Sequence, residues 1–241
     1  MTSSTSAQLL AGRRIVVTGA NRGLGAALAR AFVDAGAKVV AHARTAEAAA
    51  QAQAASGAHG AVAGELLDAA LAARVAATAH EVLGGVDVLV LNAGIISTIG
   101  PLASVDFGEF QTVMAVNVEA QLRLFVACLP QLLASRGTVI WLSSGVGRVG
   151  VPGYGAYAVS KHAVEGLNRL AHAEYGVHGL VSVAVAPGMV QTDMLRAAQG
   201  TDDVSAFTPP PVAAAGSVRL LVALGERRGE LAGGSLDVGD F

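Results

Sequence analysis

A chain of 241 residues is long enough for one domain with a sheet buried on both faces, and no linker-like stretch divides it. Its formal net charge of −2 offers no electrostatic footprint for nucleic acid or for an anionic membrane surface, so neither is expected as a partner. The one cysteine, Cys128, excludes an intrachain disulfide and reads as a core residue of an apolar helix; a cytoplasmic setting is expected.

The start, MTSSTSAQLLAGRR, lacks the charged segment and apolar core of a signal peptide and reads as a frayed end. No run approaches the roughly 20 apolar residues that a membrane span needs. From there, short β-branched runs alternate with alanine-rich segments, the pattern of βα units that build a parallel sheet. Strands are predicted at 14–18, 38–42, 59–64, 87–91, 137–142, 180–186 and 235–238. Helices are predicted at about 23–35, 45–55, 67–83, 105–134, 154–176 and 210–224, the first five as crossovers between consecutive strands. The expected fold class is α/β: a Rossmann-like, doubly wound, seven-stranded parallel sheet flanked by helices, as a single domain over 1–241. Segment 188–209 breaks this rhythm with Gly188, Gly200 and the prolines at 209–211. It is expected to be a mobile loop with a short helix beyond the carboxyl edge of the sheet, where ligands bind in such folds, and is assigned as a substrate lid.

Chemistry appears along the chain at the ends of these strands. Thr18-Gly19-Ala20-Asn21-Arg22-Gly23-Leu24-Gly25 follows the first strand and opens a helix, so its glycines let backbone approach a pyrophosphate that the helix amides attract. The spacing is G-x-x-x-G-x-G rather than the usual G-x-G-x-x-G. At the end of the second strand, Ala43-Arg44 stands where an acid would hold a free ribose 2′-hydroxyl. Arg44 and Arg22 can instead flank a 2′-phosphate, which favours NADP(H) over NAD(H). Asn92-Ala93-Gly94 ends the fourth strand, with small residues for close backbone approach and an amide that can brace neighbouring strands. Ser144 ends the fifth strand, where its hydroxyl can hydrogen-bond a carbonyl oxygen as charge develops there. Tyr157 and Lys161, four apart on a helix, share a face. A nearby cation lowers a phenol from its ordinary pKa of about 10, which makes Tyr157 the candidate proton donor. Taken singly these are ordinary features: a glycine turn, solvated arginines, a turn-forming serine and residues on a helix surface.

In this order and spacing the motifs resemble the short-chain dehydrogenase/reductase family of the Tyr-x-x-x-Lys type: TGxxxGxG at 18–25, NAG at 92–94, Tyr157 and Lys161, and Pro187-Gly188 followed by Thr192. The resemblance covers essentially the whole chain. It implies that Tyr157 is the acid/base, that Lys161 lowers its pKa while contacting the nicotinamide ribose, and that Ser144 orients the substrate carbonyl. Asn117 matches the family asparagine that holds a water in a proton relay with the lysine. On the cofactor side it implies contacts from Gly19, Asn21, Arg22, Gly23 and Leu24 in the first turn. Arg44, Leu66 and Asn92, Ala93 and Gly94 follow in the next turns. Pro187, Gly188, Val190 and Thr192 are expected along the nicotinamide, with Thr192 on its carboxamide. The acidic residue beside the adenine is Glu65 or Asp68; spacing from Asn92 favours Glu65.

Two departures from the family are visible. Leu180-Val181-Ser182-Val183 lacks the arginine often found near the start of the sixth strand, and Asp237-Val238-Gly239-Asp240 replaces Asp-Gly-Gly. Neither is expected to touch the catalytic set. The resemblance further implies an NADPH-dependent reductase that interconverts a ketone or aldehyde and an alcohol. Val146, Val149, Val151, Pro152, Tyr154, Met189, Met194, Leu195 and Phe207 are expected around the mouth, for a small to medium apolar substrate. Arg148 either contacts a polar tail or is solvated. Two alternatives stand beside this reading: an epimerase or dehydratase on the same site, told apart by net NADPH consumption, and a non-catalytic dinucleotide-binding regulator, which need not keep Asn117, Ser144, Tyr157 and Lys161 together. No metal is expected, since His162, His172 and His178 show no ligand spacing. Family members commonly pair the helices at 105–134 and 154–176 across a two-fold axis. Phe125, Leu129, Leu133, Leu167 and Leu170 on these helices point to a homotetramer first and a homodimer second.

Overall fold

The computed structural model describes residues 8–241; the frayed start read for the first residues lies, over 1–7, outside the described residues. Strands β1 (Arg14–Val17), β2 (Lys38–Ala43), β3 (Gly60–Ala63), β4 (Val88–Leu91), β5 (Thr138–Leu142), β6 (Val181–Ala186) and β7 (Ser235–Asp237) form one parallel sheet. Their order is β3-β2-β1-β4-β5-β6-β7. The order reverses between β1 and β4, so the loops leaving these two strands part to opposite faces and open a crevice at the carboxyl edge. Seven parallel strands in one domain match the expected class.

Period-two alternation decides which helices cover which face. Ile15, Val17, Val39 and Val183 pack with Leu28 and Phe32 of α1 (Gly23–Asp34) and Leu220 and Leu224 of α8 (Pro210–Glu226). Val16, Val40, Leu89 and Val139 pack on the other face with Val75 of α3 (Leu71–Leu83), Leu124, Cys128 and Leu132 of α5 (Ala120–Ala134), and Val164 of α6 (Gly155–Tyr175). Cys128 is fully buried, and burial pushes its thiol up to about 12. Helix α2 (Ala46–Ser56) begins where Thr45 accepts from the Ala48 N–H and ends at Gly57 in the left-handed region. Helix α3 starts four residues later than predicted, because Asp68 accepts from the Ala70 N–H and shapes a turn first.

The segment read as one helix over 105–134 is three pieces. Helix α4 (Phe107–Met114) passes through a π-helical turn, Ala115–Glu119, into α5. The continuous stretch Phe107–Ala134 is long and apolar enough to cross a membrane by length and composition, which corrects the expectation that no run approaches a span. Here its inner face, with Leu124, Phe125, Cys128 and Leu132, lies on the sheet. Phe125 is therefore core, and Leu129, Leu133 and Leu167 pack against that core rather than facing outward; of the five residues assigned to a subunit contact, only Leu170 is exposed.

Ser182, at the first departure from the family pattern, carries a buried polar link. It donates to Asn168 Oδ1 at 2.8 Å and accepts from Trp141 Nε1 at 3.0 Å. Asn168 donates in turn to the carbonyls of Gly233 and Gly234, which pins the approach to β7. Segment 188–209 is more ordered than the mobile loop expected there: Val190 bridges Thr208, and the Gln191 amide donates to the carbonyls of Ser205 and Phe207. Between these ties sits the short helix α7 (Asp193–Gln199), followed by Gly200 in the left-handed region. A last turn, α9 (Arg228–Leu231), leads into β7.

Candidate active site

Four elements meet at the carboxyl edge of β4 and β5. The chain leaves β5 through Ser143 and Ser144, and Ser144 caps a tight turn, Gly145–Gly147, that lies on α6. A Cβ added at Gly147 would stand 2.9 Å from Ser143 Oγ and 3.0 Å from Lys161 Cβ, so only glycine lets the turn seat there. Tyr157 and Lys161 project from the first two turns of α6, and both are buried, at 8% and 6% exposure. Lys161 Nζ donates to the Leu142 carbonyl at 2.6 Å and stands 5.5 Å from the centre of the Tyr157 ring. Asn117 lies in the π-helical turn, its Oδ1 accepting from the Ile95 N–H and its Nδ2 donating to the Ile95 carbonyl and to Ser160 Oγ. A Cβ on Gly94 would fall 3.1 Å from Asn117 Oδ1 and 4.0 Å from Lys161 Nζ, so these groups share one small space.

Burial dominates the electrostatics. The Tyr157 phenol is pushed up to about 12 by burial, and its hydrogen bond with Ser144 pulls it only part of the way back. Lys161 is pushed down to about 8 by burial alone. The expectation that Lys161 lowers the Tyr157 pKa is thus corrected for this structure: the loss of hydration around both groups outweighs their attraction.

The glycine turn sits beside this group, across the crevice between β1 and β4. Gly19 and Gly23 have φ of +66° and +54°, in the left-handed region. A Cβ at Gly25 would lie 2.0 Å from the Gly19 carbonyl oxygen and 2.5 Å from Asn92 Nδ2. Asn92 does brace the two strands: its Nδ2 donates to the carbonyls of Thr18 and Gly19, and Thr18 Oγ1 accepts from the N–H groups of Asn92 and Ala93. Arg22 reaches segment 188–209 and pairs with Asp193 at 2.9 Å.

A family model described as short chain dehydrogenase matches residues 13–203. The chain belongs to the short chain dehydrogenase family. It is 37% identical over 201 residues to a 2,5-dichloro-2,5-cyclohexadiene-1,4-diol dehydrogenase of Sphingobium indicum, covering 80% of this chain and 78% of that protein. It is 30% identical over 235 residues to an NADPH-dependent pterin aldehyde reductase of Arabidopsis thaliana, covering 95% and 96%. A short chain dehydrogenase from Shigella flexneri, solved in complex with NADP, superposes with a TM-score of 0.85 at 30% identity over 97% of this chain and 99% of that one.

Within this short-chain dehydrogenase the remaining site residues divide into those that face the crevice and those already engaged. Asn21 and Arg44 are exposed, and Arg44 stands 3.7 Å from Glu65. Asp68 is committed to Ala70 and Arg74, which leaves Glu65 as the acid nearer the end of β2. Leu24 and Leu66 are partly buried, each packed against one of the two cores. Pro187 leads into Gly188, which has φ +78° and open space around its Cα, while Val190 is buried. Thr192 caps α7 through its hydroxyl and sets its methyl near Gly23, a contact to the glycine turn. Arg148, with 27% of its side chain exposed, is engaged with β7 rather than free: it donates to Ser235 Oγ, Asp237 Oδ2 and the Leu236 carbonyl. A cavity of about 590 Å³ lies away from this site, lined by Arg136, Gly176, Val177, His178, Gly179 and Arg228 at the amino-terminal ends of β5 and β6.

Three site residues escaped the sequence reading. His42 is buried under the glycine turn, accepting from the Gly19 N–H at Nδ1 and standing 2.9 Å from the Gly64 carbonyl at Nε2, so the proton sits on Nε2. Burial lowers its pKa, which keeps it neutral at neutral pH. Gln121 donates to the Ala93 carbonyl, and Glu165 accepts from Ser143. Each bonds to a residue distant in the chain, and no local spacing announces that partner.

Proposed function

We propose that this chain is an NADPH-dependent reductase that converts a ketone or aldehyde to an alcohol, with Tyr157 as proton donor. The observation that carries the reading is the meeting of Ser144, Tyr157, Lys161 and Asn117 beside Gly94, next to a glycine turn built for close approach. The residues fit the cofactor. Gly188 has open space where a side chain would stand, Gly19 and Gly23 hold the left-handed turn at the start of α1, and Arg22 and Arg44 supply the cations for a 2′-phosphate where β2 ends in Ala43 rather than an acid. Relatives that use or bind NADP, the pterin aldehyde reductase and the Shigella flexneri protein, support the same choice. NADPH, when bound, supplies the hydride.

The protein supplies placement and a proton. Ser144 donates a hydrogen bond to the carbonyl oxygen, and Tyr157 Oη gives that oxygen its proton. A phenol held near 12 keeps its proton at neutral pH, which suits the reductive direction. Lys161, as an ammonium, stabilises the phenolate that results. Because the Asn117 amide is spent on Ile95 and Ser160, its part is to fix the π-helical turn, and the turn's backbone holds any relay water. The partly exposed apolar side chains of Val149, Met189 and Phe207 favour an apolar carbonyl compound.

NADPH oxidation across a chemically varied carbonyl panel tests the reading. Tyr157→Phe is expected to lower turnover by about 10²–10⁴-fold with NADPH affinity nearly unchanged. A variant within a few-fold of the parent would remove Tyr157 from the chemistry.

A further inference from the structure

Glu165 is a buried carboxylate that the proposed chemistry leaves unused. It lies on α6 one turn past Lys161 and two past Tyr157, with its side chain against Ser143 and Ser235. Its Oε1 accepts from Ser143 Oγ at 2.6 Å and from Ser235 Oγ at 2.8 Å, and Arg148 Nε stands 3.7 Å away. Ser143 precedes Ser144, and Arg148 follows the turn that Ser144 caps, so the network grips both flanks of that serine. Arg148 extends the hold to β7 through Ser235 at 2.7 Å, Asp237 at 2.6 Å and the Leu236 carbonyl at 2.8 Å. Oε1 of Glu165 thus accepts from two hydroxyls with the Arg148 guanidinium alongside, the partnering that a buried polar group requires.

We propose that Glu165 is a positioning residue for Ser144, acting through Ser143 and Arg148, and that β7 thereby forms part of the mount of the serine. The proposal rests on the reading that Ser144 binds the substrate carbonyl. The C-terminal strand does not touch the catalytic set itself; Ser235 and Asp237 reach it only through Glu165 and Arg148. A serine held to within a fraction of an ångström binds the developing charge; one that drifts loses much of that gain.

The test is a double-mutant cycle on the full-length enzyme with NADPH and its best carbonyl substrate. Glu165→Ala and Ser143→Ala are each made alone and on Ser144→Ala, with kcat, KM, NADPH dissociation constant and melting temperature measured for all. Ser143→Ala cuts the link between carboxylate and serine turn with little change in volume, so it decides the matter if Glu165→Ala does not fold. Each single variant is expected to lower kcat by about tenfold while leaving the NADPH dissociation constant within about twofold, and to lower it by less than about twofold once Ser144 is alanine. An equal loss in both backgrounds, or no loss in either, overturns the proposal. If Ser144→Ala itself runs at the parent rate, or the parent reduces no carbonyl, the functional reading fails first and the proposal falls with it, a result distinct from additivity.

Discussion

Tyr157 and Lys161 show how far a spacing argument reaches. Their i,i+4 relation is local, so the sequence placed both on one helix face; the depth at which that face is buried depends on residues far along the chain. Burial reverses the expected direction for the phenol and lowers the amine to about 8. The Lys161 ammonium is lost as pH rises through about 8, while Tyr157 keeps its proton over that range. Carbonyl reduction is therefore expected to hold steady near neutrality and decline above about pH 8, which initial rates of NADPH oxidation between about pH 6 and 10 check. A rate that climbs through that window would contradict the assignment.

The same lysine carries a cost in stability. Its folded pKa lies below the unfolded value of 10.5, so the unfolded chain binds the extra proton, and stability rises as pH climbs from about 8 to 10.5. At neutral pH the buried ammonium costs roughly 3 kcal/mol. Lys161→Met is expected to raise the melting temperature by several degrees, about 2–4 °C per kcal/mol, near pH 7, to lose that advantage by about pH 10, and to abolish turnover. Thermal melts at the two pH values decide it.

Among the elements, the glycine turn was the most legible, because a strand, a turn and a helix start follow one another directly in the chain. What the sequence left out is the reason for Gly25, whose missing Cβ makes room for the Gly19 carbonyl and the Asn92 amide. Gly25→Ala is expected to cost at least about 3 kcal/mol and most of the NADPH affinity. Gly166→Ala, on α6 with nothing within 4 Å of the added carbon, is expected to stabilise by about 0.5–1 kcal/mol. Denaturant melts and NADPH fluorescence titration compare the two. The π-helical turn at Asn117 was not legible: one extra residue in a helix leaves composition and apolar pattern almost unchanged. Arg148 was misjudged for a related reason, since its partners on β7 lie nearly ninety positions away and only the sheet order brings them close.

At the scale of the molecule, alternating strands and helices were enough to predict the parallel sheet, because each crossover is long and right-handed by default. The outward faces of the helices were harder to read. Helices α4 and α5 are apolar nearly all round, and the side turned to the sheet is fixed only by packing. Exposed apolar residues on these helices include Phe107 on α4 at 79%, Leu122 and Val126 on α5 at 38% and 57%, and Val159 and Leu170 on α6 at 44% and 58%. We infer that these faces pair between copies, giving a homotetramer in preference to a dimer. Leu122→Glu combined with Val126→Glu is expected to yield a folded species of lower mass by light scattering. A parent that is monomeric at micromolar concentration would refute the assembly.

The bond between Arg22 and Asp193 joins the glycine turn to segment 188–209, and both side chains are open to water, at 74% and 65%. Such a pair weakens as dissolved ions screen it, and a Debye length of about 8 Å at physiological ionic strength shrinks to about 3 Å in molar salt. Opening of the crevice should thus follow the brine as well as the ligand, so turnover compared between a dilute and a concentrated buffer reports on two different gates.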